Sequence, residues 1–147
     1  MIITDQELAR EEFATSVSKD NIPVYQVEPM SMTDFNSVMA YAPVCYGFMF
    51  HSNRGFSKAM MEQIRNELGQ YDNVGYGGIV LNILVPKGTF PCMKNISRVL
   101  HSLYPEDKSF NPWPVWGITS TDALVRRQVE VVGAFTLAYQ ATPNDEQ

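Results

Sequence analysis

Apolar side chains recur along this chain with two periods. Val44, Tyr46, Phe48 and Phe50 alternate with Cys45 and Met49, which predicts a strand over 44–50 covered on both faces. Ile79, Leu81, Ile83 and Val85 form a second such row. Val80 and Leu84 lie opposite them around a lone Asn82, so a mostly buried strand is expected. The longest alternation runs Val129, Val131, Gly133, Phe135, Leu137 and Tyr139. A shorter strand is predicted over 115–119, joined to the last one by a hairpin connection at 124–127. "IPVYQVE" (22–28) reads as an edge strand, because Pro23 lacks an amide donor.

The helical period appears elsewhere. Met60, Ile64 and Leu68 make an i, i+4, i+8 stripe with Ser57 at the N-cap position and Gly69 at C′. Met93, Ile96, Val99, Leu100 and Leu103 predict a second amphipathic helix reaching about residue 104. Thr89 caps it and Lys94, Ser97, Arg98 and His101 lie outside. Residues 1–20 read as an N-terminal helix with a Thr4/Glu7 capping box and an Ile3/Leu8 staple. Its apolar face of Leu8, Phe13 and Val17 is thin, which places it on the outside or against a neighbour. "PMSMTDFNSVMAYAP" (29–43) reads as a loop with one helical turn at 33–38. The predicted order is α, β, β, α, β, α, β, β. This implies an α+β fold, a mainly antiparallel sheet packed against one or two helices.

Composition narrows the class. A chain of 147 residues with 45% hydrophobic and 18% charged residues fits one globular domain over 1–147, with a mobile polar tail at 143–147. The net charge of −5 opposes sequence-independent binding to a phosphate backbone. Along the sequence "VRRQ" (125–128) is the only basic doublet. Two isolated cysteines, Cys45 and Cys92, give no disulfide framework and read as reduced. No basic-then-apolar leader opens the chain, and no apolar run approaches the length of a membrane span. A protein without membrane association is therefore expected.

No chemical motif emerges. "VPKGT" (85–89) places Lys before Gly, the reverse of a phosphate loop, and Gly77 and Gly78 precede the strand rather than follow it. Cys45, His51, Cys92 and His101 are metal-ligand types without paired spacing. Cys92 in a first helical turn is the better thiol nucleophile. Glu28, Asp34, Asp122 and Glu130 offer carboxylates, with nothing selecting a pair. An ADP-ribosyl-transfer reading of the Val-Pro-x-Gly-Thr turn finds only Glu130 as its acid. The aromatic residues lack a basic frame for base stacking and read as core. Trp113 and Trp116, in a Pro-rich stretch, read as subunit anchors. The residues thus predict no enzyme, no cofactor and no metal.

One longer stretch, "GYGGIVLNILVPKGTFPCMKNISRVLHSLYP" (75–105), resembles the central block of the tail terminator (tail completion) proteins of long-tailed bacteriophages. "WPVWGITST" and "VVGAFTLAYQAT" are similar to the closing part of those chains. Residues 51–68 depart from the family, with a helix-like insertion. The resemblance implies a structural virion protein, made in the host cytoplasm and located in the phage tail. It would form a homo-oligomeric ring, a hexamer in the family, that caps the tail tube protein and meets the head–tail connector. DNA would pass through its lumen without specific binding. A ring needs two heterologous faces. The Met-rich stretches, with Met30, Met32, Met60 and Met61, and the Trp113/Trp116 loop are the candidate subunit contacts. The alternatives are another neck or tail-tube subunit, or a small acidic inhibitor binding a host protein.

Overall fold

A computed structural model describes residues 1–18, 30–40, 45–71, 76–89, 91–103 and 114–137. The predicted strand at 22–28, Trp113, the end of the second amphipathic helix at 104, Tyr139 and the polar tail lie outside these residues. The elements run β1 (Ile2–Ile3), α1 (Gln6–Ser18), α2 (Met32–Met39), β2 (Cys45–Ser52), α3 (Lys58–Leu68), β3 (Tyr76–Pro86), α4 (Met93–Ser102), β4 (Val115–Thr121) and β5 (Val129–Leu137). The fold is α+β. Five strands lie in the order β1-β2-β5-β3-β4. Every pairing is antiparallel except the parallel β3–β4 pair.

Strand β3 explains the layering. Its described side chains, from Gly78 to Pro86, are all buried. Ile79, Leu81, Ile83 and Val85 join the main core with Met60, Met61, Ile64 and Leu68 of α3 and Ile96 and Val99 of α4. Val80 points the other way, into a second cluster with Phe13 of α1 and Phe35 and Val38 of α2. A strand apolar on both faces needs a helical layer on each. The chain supplies α3 and α4 on one side and α1 and α2 on the other.

Two local constraints hold the outer helices. Ala9 of α1 lies directly on Gly47 of β2: a Cβ added at Gly47 would stand 2.6 Å from the Ala9 Cβ. Further along α1, a buried polar group ties three elements together. The Asn82 side-chain amide donates to the Thr119 hydroxyl (2.9 Å) and to the Ser16 carbonyl (3.3 Å), and Thr119 donates back to Asn82 Oδ1 (3.1 Å). Asn82 and Thr119 are fully buried, so these bonds offset a desolvation cost that an apolar site would not tolerate. Arg10 bridges α1 to α2, donating to Asn36 at 2.7 Å and lying over the Phe35 ring.

Several expectations are corrected. Asp5, not Thr4, caps α1, accepting from the Leu8 amide at 2.9 Å. Ile2 and Ile3 are already committed to pairing with β2, which moves the helix start one residue on. Leu8 is 44% exposed and staples nothing; the buried face is Ala9, Phe13 and Ser16. The 33–38 turn is a full helix, α2, with a Ser31/Asp34 capping box. Gly69 is right-handed and leads into a 3₁₀ turn. Cys92, not Thr89, is the N-cap residue of α4, and Met93 lies exposed on its first turn. No hairpin joins β4 to β5, because β5 inserts between β2 and β3 while β4 pairs with β3. Parallel β3 and β4 need the α4 crossover, leaving β4 no bond to its successor.

Two substitutions test this frame. A Cβ at Gly133 would collide with the Val80 carbonyl oxygen and stand 2.5 Å from the Phe48 ring, so Gly133→Ala should lower stability by about 1–3 kcal/mol. Urea unfolding measures it, and an unchanged midpoint would contradict this packing. Asn82→Ala should cost about 1–3 kcal/mol by stranding buried partners. In a double-mutant cycle with Thr119→Val the two losses should be clearly non-additive.

Candidate functional site

The basic residues that lie apart in the sequence come together in space. Helix α3 follows a glycine turn at Gly55 (φ +66°) and is capped by Ser57, whose hydroxyl accepts from the Met60 amide at 3.2 Å. Its apolar stripe faces the sheet, which turns Lys58, Glu62 and Arg65 outward. Helix α4 packs beside it on the same sheet face and turns Lys94, Ser97, Arg98 and His101 toward the same space. Between the two helices lies a groove of about 550 Å³ lined by these residues, with Met61 at its floor. Four of the chain's eleven Lys and Arg residues line it. Glu62 is the one acid among its lining residues, 3.8 Å from Lys58. The sequence-level absence of a basic cluster is therefore corrected: each helix alone carries an ordinary solvated face, and packing makes the two faces one.

A smaller cleft of about 320 Å³ lies where β2 turns into α3, lined in part by His51, Ser52, Asn53 and Ser57. Here His51 and Glu130 face each other across the β2–β5 register, 3.4 Å apart, and His51 Nε2 lies 2.9 Å from Asn53 Oδ1. Gln128 also donates to Asn53 Oδ1. Ser52 accepts from the Arg54 amide and Ser57 caps α3. The arrangement is a cross-strand polar cluster that holds the imidazole between Glu130 and Asn53.

The remaining sequence candidates scatter. Met30, Met60 and Met61 are buried in the two apolar layers, and Met32 is half-buried. Met30 packs over Gly117. Trp116 belongs to strand β4, half-buried against the main core. Of these candidate contacts Met61 borders the α3/α4 groove and Met60 the smaller cleft. Lys87 and Gly88 form the turn after β3, and Lys87 pairs with Asp122 at 3.9 Å in solvent. Among the described residues, no three His, Cys, Asp or Glu side chains gather as metal ligands. Also among them, no helix is long and apolar enough to cross a membrane.

No family profile matches the chain, and no curated protein matches it in sequence. Solved structures do match its fold. A dimer of FtsZ from M. jannaschii, solved empty, superposes with a TM-score of 0.55 and 16% identity over 90% of this chain. A point mutant of that FtsZ gives the same score and identity over 87%. The chain spans 36% of the length of either structure. These neighbours overturn the tail-terminator resemblance, and with it the virion location, the tail-capping role and its alternatives. The physical reason lies in the stretch that carried the likeness. Residues 78–86 are a two-faced buried strand, 87–88 a turn and 93–102 an amphipathic crossover helix, a pattern that any βαβ unit imposes.

The cysteines differ in a way that can be measured. Burial pushes the half-buried Cys45 thiol up from its ordinary range, partly offset by the Arg10 guanidinium. Cys92 is exposed. Iodoacetamide at pH 8 should alkylate Cys92 first, because a raised thiol holds less of the reactive thiolate. Peptide mass mapping over time checks the order, and faster labelling of Cys45 would contradict it.

Proposed function

We propose that this protein is a non-catalytic binding domain whose working surface is the α3/α4 groove, and that the groove takes an acidic polypeptide segment. The observation that carries this reading is the gathering of Lys58, Arg65, Lys94 and Arg98 around one groove on a chain of net charge −5. A cationic groove on an anionic molecule concentrates the attraction in one place and repels wrong partners elsewhere.

A polypeptide suits the groove better than a nucleic acid. Each wall runs two helical turns, about 10 Å, so a long polyanion would overrun it onto acidic surface. Among the described residues, no Phe, Tyr or Trp lines the walls for bases to stack on. Glu62 within the groove would repel a continuous phosphate run yet accept a basic side chain in a mixed peptide. Met61 and the aliphatic stems of Lys and Arg give an apolar floor. The FtsZ neighbours support the fold and supply no function here.

Fluorescence anisotropy with a labelled poly-glutamate peptide tests the reading. Binding should weaken as salt rises from 50 to 500 mM, and Arg98→Glu should weaken it roughly tenfold. A single-stranded oligonucleotide of equal charge should bind more weakly. Equal binding of the peptide by wild type and variant, or tighter binding of the oligonucleotide, would overturn the proposal.

A further inference from the structure

The groove's complement is present on the opposite side of the same molecule. Helix α1 lies on the far face of the sheet, and its outward surface carries Glu7, Leu8 and Glu11, with Asp5 and Glu12 beside them. Leu8 is the exposed apolar residue of this surface, flanked at i−3, i+3 and i+4 by Asp5, Glu11 and Glu12. The only basic residue of α1, Arg10, is turned aside onto Phe35 and Asn36 of α2. The result is an apolar knob in an acidic rim. It meets its counterpart in the groove, an apolar floor at Met61 within a basic rim. The lengths agree as well. Asp5 to Glu12, Lys58 to Arg65 and Lys94 to His101 each span two helical turns, about 10 Å.

We infer that the acidic segment taken by the α3/α4 groove is helix α1 of a second copy of this chain. The inference rests on the groove reading above and names its partner. The two surfaces belong to opposite layers of one subunit, so the contact is heterologous. Each copy offers a groove to one neighbour and a helix to another, and assembly runs head to tail. A single helix laid in a shallow groove falls in the class of small transient interfaces, below about 1,200 Å². Association is therefore weak, reversible and screened by salt.

The experiment uses full-length chains in sedimentation velocity. Wild type at 50 mM salt should grow in average mass with concentration and return to the 16.6 kDa monomer at 500 mM. The groove variant Arg98→Glu and the helix variant Glu11→Lys should each weaken association roughly tenfold; Lys94→Glu and Glu12→Lys are second variants at the same surfaces. Circular dichroism confirms that all are folded. Mixed, Arg98→Glu and Glu11→Lys retain one intact groove and one intact helix between them. They should co-assemble in alternation, because the intact helix enters the intact groove and the Glu11→Lys helix enters the Arg98→Glu groove. The double variant Glu11→Lys/Arg98→Glu should regain wild-type assembly. Association of either single variant like wild type, or no pairing on mixing, would overturn the inference. If wild type stays monomeric while poly-glutamate still binds the groove, self-recognition fails and the groove reading stands. If poly-glutamate does not bind, the groove reading fails as well.

Discussion

Strand β3 has no solvent face, and the rest of the structure follows from that. A central strand apolar on both sides must be covered twice, and each cover must be amphipathic. The main core between the sheet and α3/α4 holds the stacked Phe48 and Phe135 rings, 6.3 Å apart, and the tilted Phe48–Phe50 pair. The opposite layer is smaller and less uniformly apolar. It joins Phe13 and Phe35, 4.9 Å apart, to the Asn82–Thr119–Ser16 polar group. One layer is fixed mainly by volume, the other by directional bonds and close backbone approach. The second arrangement leaves α1 with little freedom to slide or rotate, so its outward surface is rigidly presented.

The elements with strong local signals were legible in the sequence. The α3 cap at Ser57, the stripe Met60–Ile64–Leu68 and the two-faced β3 around Asn82 all stand as the pattern implies. Their determinants are local: a hydroxyl beside a free amide, a period of 3.6 or of 2. Errors arose where tertiary pairing decides. Ile2 and Ile3 pair with β2 forty-odd residues away, which shifts the helix start and removes the staple. The separation of β4 from β5 follows from β5 pairing with both β2 and β3, and adjacency in sequence is silent on that.

The site was less legible for the same reason. Lys58 and Arg65 belong to one helix and Lys94 and Arg98 to another, so no window of sequence contains the cluster. A signal was nonetheless available. Both helices carry Lys or Arg on the polar face, spaced by one or two turns, while the rest of the chain is acidic. The methionines misled in the opposite direction. Met30, Met60 and Met61 fill gaps beneath helices, the commoner use of a flexible side chain. The family resemblance failed because hydrophobic order alone describes a strand, a corner and a helix, which many unrelated chains share.

Placing acid on one helical layer and base on the other makes the subunit an electric dipole across its sheet. An isoelectric point near 4.9 would assign it to anion exchangers alone. Its two faces would instead let it adsorb on either sign of resin, by α1 on a cationic matrix and by the groove on an anionic one. Near any charged surface the molecule acquires an orientation before it acquires a contact. The net charge describes how far it is repelled, and the layer order describes which side arrives first.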